Sequence, residues 1–90
     1  MVKEKVKPSD KSDEVLSDLK ELILYNDDFN TFDFVIDSLI DVCNHEPEQA
    51  EQCAMIVHYK GKCAVKNGTI YELKPLYTEL SNRNLTVEIK

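Results

Sequence analysis

The chain has no tryptophan, only two glycines, and no apolar run approaching the ~20 residues that a membrane-spanning helix needs. Short runs such as Leu22-Ile23-Leu24 are the rule, so no transmembrane segment is expected. Met1 to Lys7 alternates charge with valine and lacks the apolar stretch of a secretory signal. Two glycines, Gly61 and Gly68, cannot build a glycine-rich phosphate loop. Basic residues are outnumbered: 11 Lys and Arg against 17 Asp and Glu leave a net charge of −6. Phosphate binding calls for clustered Lys and Arg, so this balance argues against a nucleic-acid partner. The three cysteines, Cys43, Cys53 and Cys63, leave at least one thiol unpaired and form no C-x-x-C pair. A reduced, cytoplasmic chain is the simple reading. Ninety residues bury only about 60–65% of the unfolded surface, enough for one modest core and too little for a multidomain enzyme.

What is present divides into an arm and a domain. Residues 1–17 are rich in Lys, Glu, Asp and Ser, with valines that match neither helix nor strand, and read as a disordered arm. Residues 18–90 carry the periodic patterns. Leu22-Ile23-Leu24-Tyr25 reads as a strand ended by Asn26-Asp27-Asp28. Asn30 is positioned to cap a helix over about Thr31 to Asn44, with Val35, Ile36, Leu39, Ile40 and Cys43 at helical spacing. Pro47 opens a second helix whose apolar positions are Ala50, Cys53, Ala54 and Val57, and Gly61 stops it. Cys63-Ala64-Val65 is a short strand and Asn67-Gly68 a turn. Thr69 and Glu72 have capping-box spacing ahead of Leu73, Leu76, Tyr77 and Leu80, with Pro75 expected to kink that helix or loosen its first turn. Leu85 to Ile89 alternates with period two and closes the chain as a strand. The order β-α-α-β-α-β predicts an α+β fold, one sheet with helices on one face.

The first candidate for chemistry is Asn26-Asp27-Asp28, which leaves the core where a strand ends and a helix is about to begin. An ammonium group offers three donors and is matched by carboxylate, amide oxygen and neutral imidazole acceptors. Asn and Asp in a row are equally turn and cap residues, and the triplet alone does not choose. His58, near the end of the second helix, can accept a hydrogen bond when neutral, or serve as a helix cap. His45 reads as loop. No His or Cys pair has zinc-site spacing, so neither a metal nor a cofactor is expected. The cysteines fall on apolar faces or in a strand, where thiols are usually inert, so an enzyme is not expected either.

The segment Tyr25-Asn26-Asp27-Asp28-Phe29-Asn30-Thr31-Phe32-Asp33-Phe34-Val35-Ile36 resembles the N-D-D-x-T-P-M-x-F-V signature of the Clp protease adaptor family, ClpS. Ala54-Met55-Ile56-Val57-His58-Tyr59-Lys60-Gly61-Lys62 is similar to that family's V-H-x-x-G-K block. The resemblance implies a three-stranded antiparallel sheet with helices packed on one face. It also implies a non-enzymatic adaptor that binds the first residue of substrate proteins, a bulky hydrophobic N-degron. Substrates beginning with Leu, Phe, Tyr or Trp would be passed to a Clp-family AAA+ unfoldase, ClpA-like or ClpC-like. By the same resemblance Asn26, Asp27 and His58 bind the α-amino group. Leu24, Tyr25, Asn30, Phe32, Val35, Ala54, Val57 and Leu85 form the side-chain pocket, and Glu72 and Lys74 dock the unfoldase.

Several positions depart from the family pattern. Asn30 stands where Thr is usual, Thr31 where Pro is, and Phe32 and Ala54 where methionines gate the pocket. One wall has grown and another has shrunk. Thr69 replaces a glutamate expected three positions before Glu72. The same element order also resembles the C-terminal domain of the ribosomal stalk protein L7/L12, a protein-docking module and the competing reading.

Overall fold

The computed structural model describes residues 18–90; the arm expected over residues 1–17 lies outside the described residues. The chain runs β1 (Lys20–Tyr25), α1 (Phe32–Cys43), α2 (Pro47–Lys60), β2 (Lys62–Gly68), α3 (Ile70–Asn82) and β3 (Thr86–Ile89). The strands form one antiparallel sheet in the order β2-β1-β3. In β1, Leu22 and Leu24 turn one face of the central strand to the core, while Ile23, on the other face between Glu21 and Tyr25, is also buried at 8% exposure. There they meet Leu39 and Cys43 of α1, Ala50 and Val57 of α2, and Leu73 and Leu80 of α3, with Val65 and Leu85 completing the cluster.

The local chemistry explains most boundaries. Pro47 occupies the first turn of α2, where its missing N–H is harmless, and Glu48 lies favourably at the positive end of the dipole. Gly61 ends α2 in the left-handed conformation at φ 94°, its N–H donating to the Val57 carbonyl at 2.9 Å. Thr69 and Glu72 form the expected capping box: the Thr69 N–H donates to Glu72 Oε1 at 2.8 Å and the Glu72 N–H to Thr69 Oγ1 at 3.2 Å. That reciprocal pair fastens the first turn of α3, and the helix continues through Pro75 to Asn82. The expected loosening of its first turn therefore does not occur.

Two boundaries differ from the sequence reading. The cap of α1 is Thr31, whose Oγ1 accepts from the Phe34 N–H at 3.1 Å. Asn30 is unavailable for that role because its side chain is engaged elsewhere. Strand β2 also runs through the expected turn at Asn67-Gly68, which pair with Glu21 and Lys20. A bulge accommodates the extra length, for Leu22 pairs with Lys66 but Ile23 with Ala64, leaving Val65 without a partner in the ladder.

The bulge has a structural use. It brings Val65 into the core while Lys66, opposite Leu22, points to the same side. The Lys66 ammonium donates to the Cys43 carbonyl at 3.1 Å. Helix α1 has no basic residue in its last turn, and β2 supplies the cation its C-terminus favours. His45, read as loop, is buried beside this bond with Nε2 2.7 Å from the Val65 carbonyl, so Nε2 carries the proton and donates.

Candidate functional site

A cavity of about 610 Å³ opens where the end of β1, the start of α1 and one flank of α2 converge. Its polar wall comes from the segment after β1 and its apolar wall from the two helices.

Asp27 builds the polar wall. Its Oδ1 accepts from the backbone N–H groups of Phe29 and Asn30, both at 2.8 Å, and its Oδ2 accepts from Asn30 Nδ2, also at 2.8 Å. The turn is an Asx-type turn closed by a carboxylate, which is why Asn-Asp-Asp suits this position. Partial burial pushes the Asp27 pKa up, but the bonds from Asn30 and Phe29 outweigh it and hold the carboxyl below its ordinary value. Asp27 is thus an anion at neutral pH. A carboxylate has about four lone-pair sites. With both on Oδ1 and one on Oδ2 used within the turn, one site on Oδ2 remains for a ligand.

Neighbouring elements fix the loop. The Asn30 Nδ2 also donates to the Asn84 carbonyl at 2.9 Å, tying the loop to the turn before β3. On the other side the Asn26 N–H donates to the Gly61 carbonyl at 2.9 Å, tying it to the end of α2. Gly61 therefore shapes the site at one remove: its left-handed conformation ends the helix and presents the carbonyl that anchors Asn26.

His58 approaches from α2, exposed, with its ring edge-on to Tyr59 at a centroid separation of 4.9 Å. Among the described residues the side chains of Asn26 and His58 have no hydrogen-bond partner, so both present free acceptors to the cavity. Phe32 and Val35 of α1 face Ala54, Met55 and Val57 of α2. Phe32 and Met55 remain 41% and 44% exposed, an apolar rim that no other part of the described fold covers. Asp28 and Glu51 complete the lining with Tyr59, and among the described residues no lysine or arginine contributes to it.

The structure brings eight of the expected residues to this cavity: Asn26, Asp27, Asn30, Phe32, Val35, Ala54, Val57 and His58. Three others do not line it. Leu24 and Leu85 belong to the core, at 0% and 5% exposure, because their side of the sheet is covered by helices. Tyr25 lies on the opposite face, its hydroxyl donating to Glu88 Oε1 at 2.5 Å across β1 and β3; that bond, with burial and the Glu88 charge, pushes its pKa up. Asn30 acts as a tie more than as a wall. Glu72 and Lys74 are exposed at the start of α3 and take no part in the cavity, Glu72 being committed through one oxygen to the helix cap.

Asp28 belongs to the Asn26-Asp27-Asp28 candidate of the sequence reading, whereas Glu51, Met55 and Tyr59 are additions from the structure. Glu51, Met55 and His58 recur at i, i+4 and i+7, a helical stripe legible in principle. It went unread because the buried stripe of Ala50, Ala54 and Val57 dominates the pattern of α2. The cysteines lie outside the cavity. Burial pushes the Cys43 thiol up to about 11, and burial together with neighbouring Cys63 pushes Cys53 up to about 12. Neither is a thiolate at neutral pH. No group of three or more His, Cys, Asp or Glu among the described residues could hold a metal, and none of the described helices is long and apolar enough to cross a membrane.

The family model for the ATP-dependent Clp protease adaptor protein ClpS matches residues 17–87. The ATP-dependent Clp protease adapter protein ClpS of Erwinia tasmaniensis is 39% identical over 69 residues, covering 69% of this chain and 65% of that protein. The ClpS of Nitratidesulfovibrio vulgaris is 36% identical over 55 residues, covering 59% of this chain and 55% of that protein. The chain thus spans between about half and two thirds of the curated relatives it matches. A solved structure of Agrobacterium tumefaciens ClpS2 bound to L-phenylalaninamide has the same fold, with a TM-score of 0.68 at 19% identity over 81% of this chain and 95% of that one. The matches do not favour the ribosomal stalk reading. With the family model covering both the Asn-Asp-Asp loop and the Val57-His58 stretch of α2, the chain belongs to the ClpS family of ATP-dependent Clp protease adaptor proteins.

Proposed function

We propose that this chain is a non-enzymatic adaptor that binds the free N-terminal residue of substrate proteins, a bulky hydrophobic N-degron, and delivers them to a cytoplasmic Clp-family AAA+ unfoldase. One observation carries the reading. The cavity has acceptors at one end, Asn26, the single free site of Asp27 and His58, and apolar walls of Phe32, Val35, Ala54 and Val57 beside them. An α-amino group supplies three donors and a positive charge to the first, and the side chain it carries enters the second. The ligand named for the Agrobacterium tumefaciens relative, L-phenylalaninamide, has that chemistry: a free amine on a carbon bearing a benzyl group.

The magnitudes suit a reversible carrier. Burying a Phe or Leu side chain contributes ~1.5–3 kcal/mol. Two or three charge-assisted hydrogen bonds add ~1.5–3 kcal/mol each. Association costs at least ~4 kcal/mol, which leaves micromolar binding or weaker. In this reading Glu72 and Lys74, at the start of α3 and away from the cavity, meet the unfoldase, so substrate and unfoldase occupy separate surfaces. The arm, residues 1–17, serves delivery and is dispensable for binding.

Fluorescence anisotropy with labelled peptides beginning in Leu, Phe, Val or acetyl-Phe tests the proposal. Leu and Phe peptides should bind and acetyl-Phe should not, because acetylation removes the charge and two donors. Equal binding of Phe and acetyl-Phe peptides would refute terminal-amine recognition.

A further inference from the structure

Two carboxylates that line the cavity, Asp28 beside the amine end and Glu51 on α2, are left unused by terminal-amine recognition. Glu51 and His58 both line it and are seven residues apart on α2. At 1.5 Å per residue that is about 10 Å along the helix axis, with Ala54 and Met55 lining the interval. If the α-amino group sits among Asn26, Asp27 and His58, the substrate's first side chain runs along this strip toward Glu51. In an extended tyrosine or arginine the terminal donor lies roughly 7 Å from the α-nitrogen by ordinary bond lengths. The remaining few ångströms are the reach of one hydrogen bond to a carboxylate on a flexible stem.

From this geometry we infer that Glu51 is a specificity-determining residue: it favours a first side chain ending in a hydrogen-bond donor, placing tyrosine above phenylalanine and admitting arginine. The inference rests on the terminal-amine reading. Two features of the wall support it. Ala54 ends at Cβ and adds no bulk to the wall between His58 and Glu51, and among the described residues no lysine or arginine lines the cavity to neutralise Glu51. An arginine stem also packs on apolar surface while its charged head reaches an anion, which Phe32, Met55 and Glu51 together provide. A purely apolar pocket gives the opposite order, since a tyrosine hydroxyl buried without a partner is penalised relative to phenylalanine.

The test titrates wild type, Glu51→Ala and Glu51→Gln with peptides identical except for a first residue of Tyr, Phe or Arg. Wild type should bind the Tyr peptide about three- to tenfold more tightly than the Phe peptide, the scale of one solvent-accessible hydrogen bond, and should bind the Arg peptide measurably. In Glu51→Ala the Tyr-to-Phe ratio should fall to one or below and Arg binding should vanish. Glu51→Gln, which keeps an acceptor without the charge, should retain the Tyr preference and lose Arg. Glu51 is exposed, so both variants should fold, and matching circular dichroism melts would confirm it. Phe at or above Tyr in wild type, or a ratio indifferent to Glu51→Ala, overturns the inference while leaving amine recognition standing. If no free-amine peptide binds, the amine reading falls and the inference with it.

Discussion

Replacing Asp27 by asparagine separates its two roles, because the amide keeps an Oδ1 for the Phe29 and Asn30 N–H groups while removing the charge and the acceptor at Oδ2. The loop loses its bond from Asn30 Nδ2, a partly exposed contact whose donor water can satisfy, at a cost of ~0.5–1.5 kcal/mol. The ligand loses more. A charge-assisted bond to an ammonium contributes ~1.5–3 kcal/mol, so affinity for a Phe-first peptide should fall about 10- to 150-fold. Acetyl-Phe peptide, which never uses the charge, should bind weakly to wild type and variant alike. Anisotropy titrations beside thermal melts read the two effects separately. The reasoning is refuted if Asp27→Asn melts lower but binds the free-amine peptide as wild type does, for Asp27 would then be a turn residue and nothing else.

Further expectations follow from the same contacts. Because the Asp27 pKa is depressed on folding, its stabilising contribution is complete above the ordinary carboxylate value of ~3.9 and is lost as pH falls through the depressed one. Acid unfolding monitored by circular dichroism should accordingly shift to higher pH in Asp27→Asn. His58→Ala removes an acceptor from the amine end of the cavity, so affinity for a Phe-first peptide should fall by ~0.5–1.5 kcal/mol; unchanged affinity would take His58 out of the contact. Gly68→Ala would place a methyl 2.5 Å from Glu72 Oε1 and push that carboxylate out of the α3 cap, for a loss of ~0.5–2 kcal/mol in urea unfolding. Unchanged stability would mean the cap survives by rotation of Glu72. Cys43 and Cys53, held neutral by burial, should resist iodoacetamide at pH 7 in the native protein and react after denaturation, and rapid native labelling read by mass spectrometry would contradict their placement.

The element order was legible because each helix carries its own punctuation. Pro47 and Gly61 bracket α2, Thr69 and Glu72 open α3, and the apolar run of β1 and the alternation of β3 stand out against both. Where the reading slipped, a long-range partner had claimed a residue that local rules assign elsewhere. Asn30 is an ordinary helix cap until Asp27 and Asn84 take its amide, and Asn84 is 54 positions away. Asn67-Gly68 is an ordinary turn until β1 offers Glu21 and Lys20 as ladder partners, a pairing that also needs the bulge at Val65. For the site, the polar cluster was legible through its residue types and its motif. Leu24, Tyr25 and Leu85 carry a cavity role by family position, whereas in the structure Leu24 and Leu85 are packed into the core and Tyr25 bonds to Glu88 across the sheet.

That Asp27 spends most of its acceptor capacity inside its own turn bears on how the site works. A carboxylate free to rotate would have to be ordered by the ligand, and each ordered side chain costs ~0.5–1.5 kcal/mol of affinity. Here much of the ordering is done on folding: the Asp27 side chain is held by three donors, that of Asn30 by Asp27 and Asn84, and the backbone of Asn26 by the Gly61 carbonyl. The side chains of the opposite wall, Met55, His58 and Tyr59, are exposed and not held in this way. The two walls should therefore respond differently to substitution. Asn84→Gly retains the carbonyl and the left-handed backbone at φ 67° and should leave the polar wall intact, whereas Gly61→Ala strains φ 94° and shifts the carbonyl that anchors Asn26. Gly61→Ala should weaken a Phe-first and a Leu-first peptide by the same factor, since it disturbs the amine end they share. A loss that depended on the first side chain would place Gly61's influence on the apolar wall instead, and the division of labour between the two ends of the cavity would have to be redrawn.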